Sequence, residues 1–155
     1  MEEEATNSEI ITSFVKNRTE TVVFSINEYL GRMLADIRLY FRTTSQPEPV
    51  PTRKGVSLDV SQWPELFAAI QALGAHLTSE GTVAEIKKSD AQIVRVSTRM
   101  YRERMLMDIR VMTRYKNSEE YRFTQKGTAM SVELYEDLLE AAGKLDEAVR
   151  QLGAA

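Results

Sequence analysis

The residues best suited to chemistry in this chain are cations and aromatics that recur on strand-like segments. Arg32, Arg38, Arg42, Arg53 and Lys54 supply charge in one stretch, where Tyr29, Tyr40 and Phe41 supply rings. In a second stretch Arg102, Arg104, Arg110, Arg114, Arg122 and Lys126 accompany Tyr101, Tyr115 and Tyr121. Cations that follow a phosphodiester backbone, interleaved with flat rings on which unpaired bases stack at about 1–3 kcal/mol each, suit a single-stranded nucleic acid. Of these residues, all but Arg122, Tyr115 and Tyr121 are the expected nucleic-acid contacts. Arginines paired with acids also decorate ordinary solvated sheet faces, and Phe41 shares its strand parity with the core, so the pattern alone leaves a bland surface open.

Other chemistry has little to stand on. Cysteine is absent and His76 is the only histidine, which leaves no thiol nucleophile, no thiolate or histidine-rich metal site and no serine triad within one chain. Asp36 and Asp108 recur on strands, but each stands two residues from Arg38 or Arg110 on the same face. An orienting ion pair explains them more simply than acid–base catalysis. Lys54-Gly55 and Lys126-Gly127 lack the longer glycine pattern of a phosphate-binding loop. The expectation is a protein that is not an enzyme and holds no cofactor and no metal.

Charge is segregated along the chain. Net charge is −3 over 155 residues, which argues mildly against a nucleic-acid binder. Residues 14–60, however, carry 7 basic and 5 acidic residues, and residues 86–132 carry 11 and 5. The acids gather at Glu2, Glu3, Glu4 and Glu9, around Glu80 and Glu85, and on helix-like stretches. A solvated surface has no general reason to place its positive charge in strands and its negative charge elsewhere.

The elements that must position these residues form an ungapped repeat at an offset of 72. Met33-Leu34 and Asp36-Ile37-Arg38 return as Met105-Leu106 and Asp108-Ile109-Arg110, and 18 of the 54 pairs beginning at residue 20 are identical. Unrelated chains of average composition would share about 5–7%. In each copy one strand alternates cleanly, with Met33, Ala35, Ile37 and Leu39 facing in and Arg32, Asp36, Arg38 and Tyr40 facing out. Val22, Phe24 and Ile26 mark a preceding strand, and Lys54–Leu58 a final one. Between them lies a turn-rich stretch from Thr43 to Thr52; its partner, from Arg114 to Thr124, lacks proline and suits a longer hairpin. Helices follow, with Ser61 and Ser131 as expected caps and apolar stripes through Trp63, Leu66, Ile70 and Leu73, and through Leu138, Ala142, Leu145 and Leu152. Residues 1–9 read as an acidic disordered tail, 10–74 as the first unit, 75–91 as a charged linker broken at Gly81, and 92–155 as the second unit.

Tyr29 to Phe41, followed by Arg53-Lys54-Gly55-Val56-Ser57-Leu58 and Gln62-Trp63, resembles the DNA-binding domain of transcriptional positive cofactor four. The second copy is similar at Tyr101 to Arg110, at Lys126-Gly127 and at Tyr135, but Glu103 replaces the turn glycine, Met112 and Thr113 replace strand-end aromatics and Gln125 replaces the arginine before lysine. In the first copy Leu30 replaces one basic turn residue. The resemblance implies α+β units of a curved four-stranded antiparallel sheet backed by a helix, each ββββα, paired so that two sheets form channels for single-stranded DNA. Two copies in one chain imply an intramolecular pseudo-dimer, with further self-association open.

The expected function is binding of single-stranded DNA, with RNA left open, in transcriptional coactivation or regulation or as a replication or repair accessory. Transcription or replication proteins are the protein partners this implies. A protein-interaction scaffold that binds no nucleic acid stays open as the alternative. No apolar run reaches the roughly 20 residues of a spanning helix. The expectation is no membrane and an intracellular location, cytoplasmic or nucleoid in a bacterium and nuclear in a eukaryote.

Overall fold

The computed structural model describes residues 7–115 and 117–153. Four strands, β1 (Asn7–Val15), β2 (Glu20–Tyr29), β3 (Arg32–Phe41) and β4 (Val50–Asp59), lead into helix α1 (Trp63–Leu73). The pattern repeats as β5 (Gly81–Lys87), β6 (Gln92–Tyr101), β7 (Arg104–Thr113) and β8 (Arg122–Ser131), then a 3-10 turn (Val132–Leu134) and helix α2 (Tyr135–Gly153). Each set of strands is an antiparallel meander in sequence order. The fold is α+β, two ββββα units in tandem.

The central hairpins form as alternation demands. Ala35, Ile37 and Leu39 on β3, and Met107, Ile109 and Val111 on β7, are buried with at most 3% exposure. The two-residue turns between the central strands require positive φ at both positions. Leu30 (φ 50°) and Gly31 (φ 80°) provide it in the first copy, Arg102 (φ 50°) and Glu103 (φ 64°) in the second. The second turn therefore holds two side-chain-bearing residues in the left-handed region, a conformation that costs non-glycine residues on the order of 1 kcal/mol or more each.

Two expectations are corrected. Residues 7–9, read as part of a tail, open β1, with Asn7 opposite Glu28 and Glu9 opposite Ile26; residues 1–6 lie outside the described residues. Residues 81–87, read as linker, are β5. The reason is shared: a register shift falls between Ile10 and Thr12 in the first copy and between Thr82 and Ala84 in the second. An inserted residue flips the side-chain parity, so the period-2 signal that revealed the inner strands is broken in the outer ones. The repeat thus extends into strands where identity has faded. Smaller differences concern the strand and helix starts. β4 begins at Val50, four residues before the expected strand, and the second copy gains no longer hairpin, since β7 ends at Thr113 and β8 opens at Arg122. Ser61 does not cap α1, whose cap position is Gln62 with no side-chain bond; its N–H instead donates to Asp59 Oδ1 at 3.0 Å. Ser131 caps as expected, accepting from the Glu133 N–H at 3.2 Å.

The halves exchange helices. The close strand contacts of α1 are with β5 and β6, those of α2 with β1 and β2, and the two helices also touch each other. Each sheet is backed by the helix of the other half, and one apolar core runs through both. Polar pins cross the same boundary. Trp63, fully buried, donates from Nε1 to Asp146 Oδ1 at 3.1 Å. Its repeat counterpart Tyr135 directs its hydroxyl at the carbonyls of Ile70 (3.0 Å) and Gln71 (2.9 Å) at the end of α1. That hydroxyl, held above the usual tyrosine range chiefly by burial, stays protonated.

Candidate nucleic-acid interface

The faces turned away from the helices are organised by the repeated aspartates. Asp36 is 3% and Asp108 1% exposed, so each carboxylate must be paired where it lies. Arg38 embraces Asp36 through Nε to Oδ2 (3.1 Å) and Nη2 to Oδ1 (2.9 Å) and donates Nη1 to the Thr52 carbonyl at 2.9 Å. Arg110 repeats this, with Nε 3.0 Å from Asp108 Oδ1 and Nη1 2.8 Å from the Thr124 carbonyl. The neighbouring strand closes on both glycines: a Cβ on Gly55 would meet the Arg38 guanidinium, with Cζ at 2.7 Å, and one on Gly127 would meet the β7 backbone, with Ile109 O at 2.6 Å and Arg110 Cα at 2.7 Å. The Lys-Gly pairs therefore serve close strand approach. Arg38 and Arg110 are fixed, half-buried plates rather than mobile surface cations.

The remaining expected contacts ring these plates. Arg42 and Arg114 brace the strand ends, donating Nε to the carbonyls of Arg18 and Asp90, each at 3.0 Å. Exposed Arg32 reaches half-buried Asp59 at 3.5 Å, and the Asp59 carboxyl is held below its usual range, first by hydrogen bonds from Ser61. Arg53, Lys54, Arg102, Arg104 and Lys126 are exposed. Among the rings, Tyr101 is 50% and Phe41 38% exposed, which removes Phe41 from the core despite its parity. Tyr29 and Tyr40 are half-buried, and burial, reinforced by the Asp36 charge, pushes the Tyr40 phenol above its usual range. Three residues set aside at the sequence level form a cation–ring cluster on the second sheet. Arg122 stands 4.9 Å over Tyr115, and Arg114 6.0 Å over Tyr121. Arg102 lies 5.2 Å over Tyr101 nearby in sequence.

On the first sheet, β2, β3 and β4 border a cleft of about 610 Å³ that brings Tyr29, Arg38 and Arg53 together with Lys88 and Lys126 of the second half. Lys126 arrives because β8 packs along β4. Lys88, in the turn between β5 and β6, was missed by sequence reasoning, which placed it in a linker. The period-2 pattern carried no signal for it, since a turn residue has no strand parity. Burial, with the Lys126 and Arg38 charges next in size, lowers the Lys88 ammonium below the usual lysine range, while Asp36 acts in the opposite sense. Charges read as belonging to the second copy thus converge on the first.

No helix among the described residues is long and apolar enough to cross a membrane. Residues 16–69 match the family described as Transcriptional Coactivator p15 (PC4). Among solved structures the chain is similar to a PC4 homologue from Burkholderia pseudomallei. Its tetragonal crystal form is 29% identical over 40% of this chain and 90% of that one, with a TM-score of 0.36. The orthorhombic form gives 28% identity over 41% and 84%, also at 0.36. No curated protein gives a match to this sequence. Residues 16–69 are thus similar to the PC4 family, and a second sheet unit of the same build follows them.

Proposed function

We propose that this protein binds single-stranded nucleic acid through the outer faces of its two sheets and acts as a coactivator-like accessory of transcription, replication or repair. The observation that carries this reading is the cleft lined by Arg38, Arg53, Lys88 and Lys126 together with Tyr29. It combines cations set for a phosphodiester with a ring set for a base, the two requirements of single-strand binding. The matched family, described as a transcriptional coactivator, supports the same class of activity. Tyr29, Arg32, Arg38, Tyr40, Phe41, Arg42, Arg53 and Lys54 would serve on the first sheet, and Tyr101, Arg102, Arg104, Arg110, Arg114 and Lys126 along the second unit.

Duplex DNA fits this surface poorly. Helix α2 and the turn before it expose Glu133, Glu136, Asp137 and Glu140, which repel phosphates and disfavour entry into a major groove. The sheets would hold a duplex by charge alone, because paired bases cannot stack on Tyr29 or Tyr101. Two stacked bases are worth about 2–6 kcal/mol, more than tenfold in affinity. Titration of labelled single-stranded and duplex oligonucleotides at one moderate salt concentration checks this. Equal affinities for the two would return the arginine stripes to the status of a solvated face.

A further inference from the structure

We infer that the two sheet faces are unequal nucleic-acid sites: the cleft on the first sheet is the phosphodiester seat, and Lys88, carried by the second half, is a phosphate contact there that its repeat counterpart Lys16 does not reproduce. The inference rests on the single-strand reading above and assigns within it which face holds the backbone and with which further residue.

The two turns are alike in backbone and different in chemistry. Lys16 donates its N–H to the Glu20 carbonyl at 2.9 Å, and Lys88 to the Gln92 carbonyl at 3.0 Å. In the first turn the Glu20 carboxylate also neutralises the lysine, with Nζ to Oε1 at 3.4 Å, and is held in place by Asn17 Nδ2 at 2.7 Å. In the second turn residue 92 is glutamine, whose amide reaches Thr113 Oγ1 at 3.4 Å instead. Among the described residues neither Lys88 nor Lys126 has a carboxylate within ion-pair distance. The Lys88 turn is also pinned from the other half. Gln62 Nε2 donates to the Lys87 carbonyl at 2.5 Å, whereas the repeat places Leu134, which has no side-chain donor, at the corresponding position.

The floors of the two faces differ in the same sense. Asn27 lines the cleft with its side chain tied back to β1, where Ser8 Oγ donates to Oδ1 at 2.6 Å. The equivalent residue of the second sheet is Arg99, which reaches Asp108 Oδ2 at 3.3 Å and lies 5.9 Å over Tyr101. Asp36 needs no such second cation, because Ser57 Oγ donates to it at 2.5 Å, and residue 129 in the second copy is alanine. On the second sheet a guanidinium is thus spent internally, against a buried carboxylate. On the first, Lys88 and Lys126 stand near Arg38, and the Asp36 carboxylate there is already engaged by Arg38 and Ser57. Cations gathered without a counter-charge are stabilised by an anion, and a string of phosphates supplies several at the right spacing.

The test is a salt titration of the full-length chain against labelled oligothymidine by fluorescence anisotropy. Lys88→Met should weaken binding about fivefold near 0.1 M salt and flatten the slope of log affinity against log salt by about 0.7, the share of one phosphate contact on a single strand. Lys16→Met should leave both quantities unchanged, and Lys88→Arg should keep them close to wild type, which separates lost charge from a damaged turn. Equal losses for Lys88→Met and Lys16→Met, or no change in either while the parent binds, would overturn the inequality and leave the single-strand reading intact. A parent protein that fails to bind oligothymidine would overturn both.

Discussion

Position by position, the two halves put the same residues to different uses. The Asp-Arg pair of β3 and β7 is retained with nearly the same geometry, yet it is completed by a serine in the first sheet and by a second arginine in the second. The repeated helix-start aromatic is a fully buried tryptophan in one half and a half-buried tyrosine in the other. A duplicated unit keeps what its strands need for pairing, and it is released to diverge wherever the partner unit supplies the missing group. The exchange of helices makes that dependence reciprocal, since each sheet is covered by the other half.

The sharpest way to break the comparison is at the aromatics. Trp63→Ala should cost about 3–5 kcal/mol, through the cavity it leaves and the unpaired Asp146 oxygen. Tyr135→Phe, which removes only a hydroxyl, should cost about 1 kcal/mol. Chemical denaturation of the two variants reads the difference, and equal losses would show that the helices contribute symmetrically. Next in size are the aspartates. Asp108→Asn leaves the Arg99 and Arg110 guanidiniums facing each other and should cost about 3 kcal/mol, whereas Asp36→Asn strands only Arg38 and should cost nearer 1–2 kcal/mol. A reversed order in thermal unfolding would contradict the assigned roles. The smallest effect belongs to the turns: Gly31→Ala should destabilise, and Glu103→Gly should stabilise, each by about 1 kcal/mol or less, because only glycine accepts positive φ without strain. Paired melting curves would detect opposite signs.

The inner strands were legible because their alternation is unbroken. Met33 to Leu39 and its copy declare both period and face, and Ala35, Ile37, Leu39, Met107, Ile109 and Val111 are buried as that period requires, with Asp36 and Asp108 buried between them. The outer strands were hidden by a single inserted residue in each, and β5 was further disguised by its flanking glycine and lysines. Among the proposed site residues, the strand cations were marked in the sequence by their alternation with the apolar positions. The spacing of Asp36 with Arg38 and of Asp108 with Arg110 announced their ion pairs, but nothing in it showed that the Thr52 and Thr124 carbonyls complete the hold on each guanidinium or that Lys88 borders the cleft.

By itself, then, the sequence determined the repeat, the α+β units, the alternation that puts arginines and tyrosines on the outer faces, and the family resemblance. These depend on local periodicity and on identity at fixed spacing, both of which are written along one dimension. Only the tertiary structure decided which half serves which. The crossing of the helices, the packing of β8 along β4 and the delivery of Lys88 and Lys126 to the first sheet join residues far apart in the chain. Such contacts follow from burying one shared apolar core, a requirement of the whole molecule that no single segment records.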